Sequence, residues 1–440
     1  MKPVKIGILG LGTVGSGTVN VLSRNAAEIT RRAGREIRIV HASARDLNKP
    51  RNCPTEGIRL TQDPFEVVNN PELDVVIELI GGYEPARELV LKAIANGKHV
   101  VTANKAMIAV HGNEIFERAQ QQGVMVAFEA AVAGGIPIIK TIREGLAGNR
   151  IEWVAGIING TGNFILTEMR EHGRDFADVL AEAQRLGYAE ADPSFDVEGI
   201  DAAHKLTILA AIAFGVPLQF ARAYTEGITR ITRLDVAYAG ELGYRIKHLG
   251  IARRTEQGVE LRVHPTLIPA RRLIANVDGV MNAVLVKGDA VGPTLYYGAG
   301  AGAEPTASAV VADVVDVVRT LTTDPNNRVP HLAFQPDALS DLPILGMDEV
   351  ETSYYLRMQA HDRPGVLADV TRILGDQGIS IEAIIQKEPA AGESEVPIIM
   401  LTHRVREKYM NAAIARIEDL STINGRVMRI RLEHLNRDWK

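Results

Sequence analysis

A glycine-rich segment at the start of the chain limits the possible folds more than any other feature. Lys2 to Leu9 alternates into an apolar run that predicts a short strand, Gly10-Leu-Gly12-Thr-Val-Gly15 follows directly, and Ser16 to Arg24 continues as a predicted helix. Glycines in this order allow a tight turn and the close approach of a pyrophosphate, which sits on the helix N-terminus. The succession therefore predicts a dinucleotide-binding unit rather than a turn without a ligand. The predicted cofactor contacts in it are Gly10, Gly12, Thr13, Val14 and Gly15.

The end of the second predicted strand bears on the choice of cofactor. This strand runs from Glu36 to Ser43, and an acidic residue at its end would bind the ribose 2′-hydroxyl of NAD. Here Arg45 and Asp46 follow the strand. Arg45 is suited to the 2′-phosphate of NADP, whereas Asp46 leaves NAD open, and a solvated loop charge is the alternative for Arg45. The sequence therefore favours NADP over NAD.

Strands and helices alternate as far as residue 128. Strands are predicted over Val75 to Ile80, Lys98 to Thr102 and Val124 to Phe128, and helices over Pro85 to Asn96 and Asn113 to Gln122. This alternation predicts an α/β fold with a Rossmann-type, doubly wound parallel sheet. Open sheets of this kind bind ligands at the carboxyl ends of their strands. Gly81 and Lys105 lie at two such ends and are predicted cofactor contacts, although an ordinary helix-start lysine would also explain Lys105.

The most informative charged side chains lie in the segment from Gly187 to Lys205. The helix predicted from Gly199 to Phe214 is apolar nearly all round, which indicates burial, yet it carries Asp201 and Lys205. Their i,i+4 spacing puts both on one face. A buried lysine must be paired or must face a cleft in which its charge is used. A structural ion pair and a catalytic pair both satisfy this requirement.

Changes in composition divide the rest of the chain. The predicted divisions are a nucleotide-binding domain over 1–130 with 305–325 packing back on it, a mixed α/β catalytic domain over 131–304, a linker over 326–350 and a domain over 351–432. The last has the predicted order βαββαβ, which is ferredoxin-like, and is expected to be self-contained. A second glycine-rich loop, Gly298 to Thr306, opens a helix predicted from Ala307 to Leu321. Gly302 in that loop is a predicted cofactor contact, although a plain capped helix start is the alternative.

The overall composition excludes several classes of function. A net charge of −5 over 440 residues gives no reason to expect nucleic acid or an anionic membrane as a partner. No apolar run is long enough to span a bilayer, and the chain enters a strand at once, which leaves no room for a signal peptide. The single cysteine, Cys53, excludes an internal disulfide and a Cys-rich zinc site. The expectation is a soluble cytoplasmic protein.

Over essentially its whole length the chain resembles monofunctional homoserine dehydrogenase with a C-terminal ACT domain. The resemblance is carried by Gly10 to Gly15, Thr102-Ala-Asn-Lys105, Asn159-Gly-Thr-Gly-Asn163, Gly187 to Lys205 and Gly298 to Thr306. It implies the reversible, NAD(P)-dependent reduction of L-aspartate 4-semialdehyde to L-homoserine, a step in threonine, methionine and isoleucine biosynthesis. It also implies a homodimer or homotetramer.

The resemblance assigns catalytic and substrate-binding roles. Lys205 matches the proposed proton donor, Lys105 a lysine near nicotinamide and substrate, and Glu190 the partner of the substrate ammonium group. Asp201 is expected to assist catalysis beside Lys205, and the other predicted substrate contacts are Tyr188, Asp196 and Thr161. An ammonium group near the aldehyde oxygen would stabilise its developing charge and supply a proton. Burial would lower the pKa of Lys205 whereas Asp201 would limit that shift, and the sequence leaves the balance open.

Two more sites follow from the resemblance alone. The backbone carbonyls of Glu129, Val132, Gly134 and Ile136 match a sodium site, in keeping with the oxygen ligands of hard cations. Asp362 and Gly365 match the effector loop of ACT domains, for which L-threonine is the expected ligand.

Two other functions stay open at this point. One is another Rossmann-type amino-acid or semialdehyde dehydrogenase, although semialdehyde dehydrogenation needs a cysteine nucleophile and Cys53 lies in a polar loop. The other is a non-catalytic sensor of nucleotide and amino acid, which would leave the pair Asp201 and Lys205 on a buried helix without a purpose.

Overall fold

The structure is a computed structural model that describes residues 2–388 and 394–435, except for the side chain of Asn326. The chain forms two compact units. The first contains the chain up to Gly160 with Asp201–Ala223 and Val280–Leu342, and the second contains Thr161–Ile200, Tyr224–Gly279 and the chain from Pro343 onward. Residues 389–393 of the predicted domain 351–432 lie outside the described residues. Among the helices of the described chain, none has the length and apolar character to cross a bilayer.

The strands and helices are numbered in chain order. The strands are β1 Val4–Leu9, β2 Ile37–Ser43, β3 Arg59–Thr61, β4 Val75–Glu78, β5 His99–Thr102, β6 Val126–Ala127, β7 Ile151–Ile157, β8 Tyr224–Thr225, β9 Tyr244–Arg254, β10 Val259–Pro269, β11 Met281–Gly288, β12 Gly292–Ala299, β13 Glu351–His361, β14 Ile381–Gln386, β15 Glu395–Thr402, β16 Val405–Arg406 and β17 Ile423–Leu432. The helices are α1 Thr13–Arg24, α2 Ala26–Ala33, α3 Pro64–Asn69, α4 Ala86–Ala95, α5 Lys105–Gln121, α6 Ile138–Lys140, α7 Gly160–His172, α8 Phe176–Arg185, α9 Ser194–Val197, α10 Ile200–Phe214, α11 Arg233–Glu241, α12 Ala303–Thr320, α13 Val366–Asp376 and α14 Glu407–Glu418.

A parallel sheet with the strand order β3-β2-β1-β4-β5-β6 organises the first unit and confirms the predicted Rossmann-type fold. Its central strands are apolar on both faces, and every residue of β4 and β5 is buried. Parallel strands need such sequences because helices cover both faces of the sheet. The chain leaves β1 for β2 on one side and later returns to β4 on the other. A crevice at the carboxyl ends of β1 and β4 follows from this reversal of strand order.

Several predicted helix boundaries were wrong. Helix α5 begins at Lys105 rather than at Asn113, because the side chain of Asn104 accepts a hydrogen bond from the Met107 N–H at 3.1 Å and caps the helix there. Helix α1 begins at Thr13 rather than Ser16, and α12 begins at Ala303 rather than Ala307. Pro305 is compatible with this earlier start because proline is tolerated in the first turn of a helix.

Helix α12 packs against α1 within the hydrophobic core of the nucleotide-binding domain. A side chain at Gly17 would place its Cβ 2.6 Å from the carbonyl oxygen of Ala303, so glycine is needed where the two helices approach each other. The apolar face of α12 joins the buried cluster that contains Ile6 and Val19. Strands β12, β11 and β7 form antiparallel neighbours in the same unit.

The second unit contains the ferredoxin-like order predicted for the C-terminal region, β13-α13-β14-β15-α14-β17. Its strands lie in the order β9-β10-β17-β13-β15-β14. Strand β17 also pairs in parallel with β10, through Thr266 with Arg431 and Leu267 with Leu432, so the sheet continues into strands from earlier in the chain. The expectation that this domain is self-contained stays a prediction. Sequence patterns do not indicate this pairing, because β10 and β17 are separated by more than a hundred residues of the chain.

Buried ion pairs reinforce the junction between β10 and β17. Arg262 is 1% exposed and its Nη2 lies 2.6 Å from Glu433 Oε1. A second ion pair links β13 to α11, where Arg357 Nε lies 2.6 Å from Asp235 Oδ1. Removing one partner of a buried pair leaves an uncompensated charge. Deleting the C-terminal region would therefore expose β10 and leave Arg262 and Asp235 without their ion-pair partners. Point substitutions thus test the function of this region more cleanly than truncation does.

Candidate active site

The glycine-rich loop after β1 has the geometry of a phosphate-binding turn. Gly10 adopts a left-handed φ of +97°, and a Cβ at Gly15 would lie 2.1 Å from the Gly10 carbonyl oxygen. A Cβ at Gly12 would meet nothing within 4 Å, which leaves open space at the start of α1. No side chain caps α1 and its first turn carries no acidic residue. Its N-terminal N–H groups are therefore suited to bind an anion.

A cleft of about 640 Å³ lies at the carboxyl ends of β1, β2 and β4. Its lining includes Gly10, Gly12 and Arg45 from the predicted cofactor contacts, whereas Thr13, Val14 and Gly15 lie in the first turn of α1. Lys49 and Arg51 also line this cleft, and sequence reasoning missed both. Three cationic side chains against the single carboxylate of Asp46 make this end of the cleft suitable for a phosphate.

Glu78 organises the ends of β4 and β5. It is fully buried, its Oε1 accepts hydrogen bonds from the N–H groups of Ile80 and Gly81 at 2.7 and 3.0 Å, and its Oε2 accepts from the Thr102 hydroxyl at 2.7 Å. Each of these three contacts is a hydrogen bond donated to the carboxyl group. The positive φ of +81° at Gly81 turns the chain over this anchor. A lone acid closing an apolar strand was the only sequence signal for this role.

The segment Thr102 to Lys105 places Lys105 at the start of α5. Asn104 Nδ2 donates to the Gly82 carbonyl oxygen at 2.7 Å, and the Asn104 N–H donates to the Thr102 hydroxyl at 3.0 Å. The β4 and β5 loops are thereby bonded to each other. Lys105 follows directly with its side chain 35% exposed, at the edge of the sheet where such folds bind ligands.

The structure brings three of the predicted catalytic residues together within the first unit. Asp201 Oδ2 lies 2.6 Å from Lys205 Nζ, and Asp201 Oδ1 lies 3.2 Å from Lys105 Nζ. Asn159 Nδ2 donates to Asp201 Oδ2 at 2.9 Å, and Lys205 Nζ also donates to the Ile158 carbonyl oxygen at 2.7 Å. A carboxylate that is 4% exposed thus lies between two ammonium groups.

Electrostatics keep the Asp201 carboxylate ionised. Burial alone would raise the pKa of Asp201, but the charges of Lys205 and Lys105 outweigh it and hold that pKa well below its usual range. The Lys205 ammonium has three N–H donors, of which Asp201 and the Ile158 carbonyl occupy two. The remaining donor is suited to a substrate oxygen, because the side chain of Lys205 retains 12% exposure.

His204 and Tyr83 adjoin this cluster and were not assigned from the sequence. His204 is fully buried and its ring stacks on Phe220 with centroids 4.1 Å apart. Burial lowers its pKa to about 4, so the ring is neutral at neutral pH. Its Nε2 lies 3.2 Å from the hydroxyl of Tyr83, which is 42% exposed in the loop after β4. The pair supplies a neutral polar group next to the lysines.

The predicted substrate contacts lie in the second unit. Glu190 and Tyr188 are exposed in the loop after α8, with Tyr188 44% exposed, and Asp196 lies in α9. Thr161 Oγ1 donates to the Tyr188 carbonyl oxygen at 2.6 Å and fixes this loop against the start of α7. The Tyr188 ring contacts Phe164 edge-on with centroids 5.1 Å apart. Their roles toward a substrate stay predictions.

The remaining predicted sites lie in turns. Gly302 precedes α12 with a φ of +126°, and Asp362 and Gly365 lie in the exposed turn between β13 and α13. The predicted sodium ligands surround a buried turn in which Ala133 has a φ of +54° and Gly134 a φ of +38°. Within residues 2–388 and 394–435, no cluster of three or more His, Cys, Asp or Glu side chains is arranged to hold a metal ion.

A dinucleotide-type cleft and a lysine–carboxylate cluster on the same sheet define a nicotinamide-dependent oxidoreductase. Comparison with known proteins agrees: residues 10–129 match the family described as "Homoserine dehydrogenase, NAD binding domain", residues 137–315 match "Homoserine dehydrogenase", and residues 354–422 match "ACT domain". The chain belongs to the homoserine dehydrogenase family and is an NAD(P)-dependent oxidoreductase that acts on a CH–OH group. The family resemblance and the three-part fold predicted from the sequence are therefore confirmed.

Individual relatives support the same assignment. The chain is 70% identical to a homoserine dehydrogenase of Pseudomonas aeruginosa, over 99% of this chain and 100% of the relative. A homoserine dehydrogenase structure from Thiobacillus denitrificans superposes with a TM-score of 0.94 at 71% identity, covering 99% of each chain. A hyperthermophilic archaeal homoserine dehydrogenase in complex with NADPH gives a TM-score of 0.61 at 26% identity, over 73% of this chain and 98% of that one.

Proposed function

We propose that the protein catalyses the reversible reduction of L-aspartate 4-semialdehyde to L-homoserine, in the biosynthesis of threonine, methionine and isoleucine. The observation that carries the proposal is the buried Asp201 carboxylate bonded to Lys205 and in ion-pair contact with Lys105. Aldehyde reduction needs a cation where negative charge develops on oxygen and a proton to complete the alcohol. A bound nicotinamide cofactor would supply the hydride.

Each polar side chain then has a defined task. Lys205 donates a hydrogen bond to the aldehyde oxygen and gives it a proton, while Asp201 orients the lysine through their hydrogen bond. Lys105 adds a second positive charge on the other oxygen of Asp201. Glu190 pairs with the substrate ammonium group, with Tyr188, Asp196 and Thr161 as further substrate contacts.

An assay of NADPH oxidation with L-aspartate 4-semialdehyde tests the proposal directly. Turnover with this aldehyde, and the reverse reaction with L-homoserine, are the expected results. Reduction of other carbonyl substrates only would identify a different dehydrogenase. Binding of nucleotide and amino acid without any turnover would identify a sensor.

We also propose NADP as the preferred cofactor, because Arg45 and Lys49 line the cleft and offer positive charge to a 2′-phosphate. Replacing Arg45 by alanine should weaken NADP binding by about 1.5–3 kcal/mol, the range for hydrogen bonds to charged groups. NAD binding should barely change because NAD lacks the 2′-phosphate. Titrations of the cofactors by fluorescence or calorimetry measure both affinities.

Arg51 provides the matched control for Arg45. Its guanidinium donates to the carbonyl oxygens of Leu47 and Lys49 at 3.2 and 3.0 Å and thereby holds the loop. Replacing Arg51 by alanine should weaken NADP and NAD binding alike. An equal loss for both cofactors in the Arg45 variant would contradict the proposed phosphate contact and leave Arg45 with a similar loop-holding role.

A sodium ion is proposed at the carbonyl oxygens of Glu129, Val132, Gly134 and Ile136. The described residues fit it: Val132 and Gly134 are buried, and no described donor reaches their carbonyl oxygens. Buried carbonyls without donors are rare, and positive φ at the non-glycine Ala133 indicates a functional turn. When bound, the ion would hold this turn through oxygen ligands. A rise in the melting temperature with sodium chloride, absent with a bulky organic cation, measures its binding.

The ACT domain is proposed to bind L-threonine at the turn that carries Asp362 and Gly365 and to lower activity. Feedback requires different affinities for threonine in two conformations. Replacing Asp362 by alanine should abolish inhibition by millimolar threonine and its binding in calorimetry. The control is replacement of the exposed Asp419 of the same domain by alanine, which should leave both unchanged. Unchanged rates and no binding in the parent enzyme would show that the domain has only a structural role.

A homodimer or homotetramer is proposed from the family resemblance. In the strand order of the second unit β14 stands last, and its Ile384 is 39% exposed. An exposed strand edge is a ready site for pairing with a second copy. Light scattering with the full chain measures the mass, and a monomer at all concentrations would refute the assembly.

A further inference from the structure

A second cavity lies within the second unit, away from the effector turn of the ACT domain. It measures about 260 Å³ and is formed by α7, α11, the first residues of β9 and Ala270. Leu166, Val236 and Ile246 give it an apolar wall, and the side chains of Arg170 and Arg245 reach its lining. Enclosed space with an apolar wall and a few charged groups is the usual form of a small-molecule site.

The cations around this cavity outnumber their partner. Asp278 lies 2.9 Å from Arg170 and 3.0 Å from Lys247, but 3.9 Å from Arg245. Arg170 has a second partner in Glu171 at 2.6 Å. Lys247 is 1% exposed, and burial first and then the neighbouring arginines lower its pKa to about 8, against the opposing charge of Asp278. Three cationic side chains therefore share the carboxylate of Asp278.

Arg245 has the longest carboxylate contact of the three cations, since its guanidinium lies 3.9 Å from Asp278. Its only hydrogen bond among the described residues is a long one, 3.4 Å, to the Ala275 carbonyl oxygen, and its side chain is 27% exposed. A guanidinium group has five N–H donors in a planar fork that matches a carboxylate. Arg245 therefore offers a carboxylate site at the wall of the cavity.

The end of helix α11 supplies partial negative charge to the lining of the cavity. Gly240 lies in the last turn of α11, and that turn carries no basic side chain. The C-terminal end of a helix carries partial negative charge, which favours a cation such as an ammonium group. The Gly240 carbonyl oxygen accepts the Gly243 N–H at 3.0 Å and keeps a second lone pair. A guanidinium, a helix C-terminus and an aliphatic wall together match a zwitterion with an apolar side chain.

We propose that this cavity binds a small aliphatic α-amino acid, with its carboxylate on Arg245, its ammonium group toward the end of α11 and its side chain against Leu166, Val236 and Ile246. The site is distinct from the effector turn at Asp362. Tyr244 at its edge packs in one apolar cluster with Ala383 and Ile385 of β14. Through Tyr244, a ligand in the cavity would therefore be linked by packing to the sheet of the ACT domain.

Calorimetry on the full chain with three matched probes tests the site. L-Valine carries both charged groups, 3-methylbutanoate lacks the ammonium group, and isobutylamine lacks the carboxylate. L-Valine should bind most tightly and isobutylamine should not bind, since the arginine supplies the stronger contact. No binding of any probe at about 10 mM, a concentration that detects millimolar affinity, would overturn the proposal.

Variants then locate the binding. Arg245→Gln should weaken L-valine at least about tenfold, as expected for loss of a charge-assisted hydrogen bond, and Arg245→Lys should restore part of it. Arg271→Gln, which removes the same charge outside the cavity lining, and Asp362→Ala should leave L-valine binding unchanged. Equal binding in Arg245→Gln, or loss in Asp362→Ala with retention in Arg245→Gln, would exclude this cavity. Melting curves confirm that each variant is folded.

Discussion

Replacing Lys205 by methionine is expected to lower kcat for aldehyde reduction by at least about a hundredfold, the contribution typical of a positioned proton donor. Methionine keeps the length and apolar stem of the side chain, and Asp201 retains Lys105 and Asn159 as partners. The fold should therefore persist. Steady-state rates with saturating aldehyde, together with a melting curve, separate loss of chemistry from loss of structure.

Lys98 offers a matched control for Lys205. Its Nζ also donates to backbone carbonyl oxygens, those of Asn70 and Leu73 at 2.7 and 3.2 Å, and it is 4% exposed. Replacing Lys98 by methionine removes a comparable buried ammonium group away from the cluster. We expect a lower melting temperature with kcat retained. Near-normal turnover in the Lys205 variant would remove this lysine from the mechanism.

The nucleotide-binding half of the molecule could be predicted from the sequence because its signals are local. The left-handed φ at Gly10 and the contact between Gly15 and the Gly10 carbonyl are requirements of one turn, and the turn is contiguous in the chain. The pair Asp201 and Lys205 was predictable for the same reason, since one helix fixes its geometry. The capping role of Asn104 was overlooked, so α5 was predicted to begin at Asn113, eight residues after its observed start at Lys105.

What the sequence did not show depends on contacts between distant segments. Lys105 and Asp201 are close only because the start of α5 and the start of α10 meet in the first unit. The neutral pair His204 and Tyr83 likewise joins residues far apart in the chain. The pairing of β17 with β10 is of the same kind. Local patterns of burial and charge cannot determine which segments meet, so these features required the structure.

Replacing Asp201 by asparagine is expected to destabilise the protein by about 3–5 kcal/mol, the cost typical of removing one partner from a buried ion pair. Two ammonium groups would then adjoin a neutral amide. Without the carboxylate these two ammonium groups repel each other.

The pH dependence of the stability difference follows from the same charges. The pKa of Asp201 is lower in the folded protein than in the unfolded chain, so the stabilisation by this carboxylate is fully present above the unfolded value and is lost as the pH falls below it. Toward pH 5 the gap should not narrow, because Lys205 and Lys105 hold the pKa of Asp201 well below its ordinary value of 3.8 and its contribution is lost only below that value. Urea unfolding at several pH values measures the gap, with the exposed Asp341→Asn as a control that should show almost none. A gap that closes near pH 5 would mean that Asp201 is already protonated there and is not the counter-charge of the two lysines.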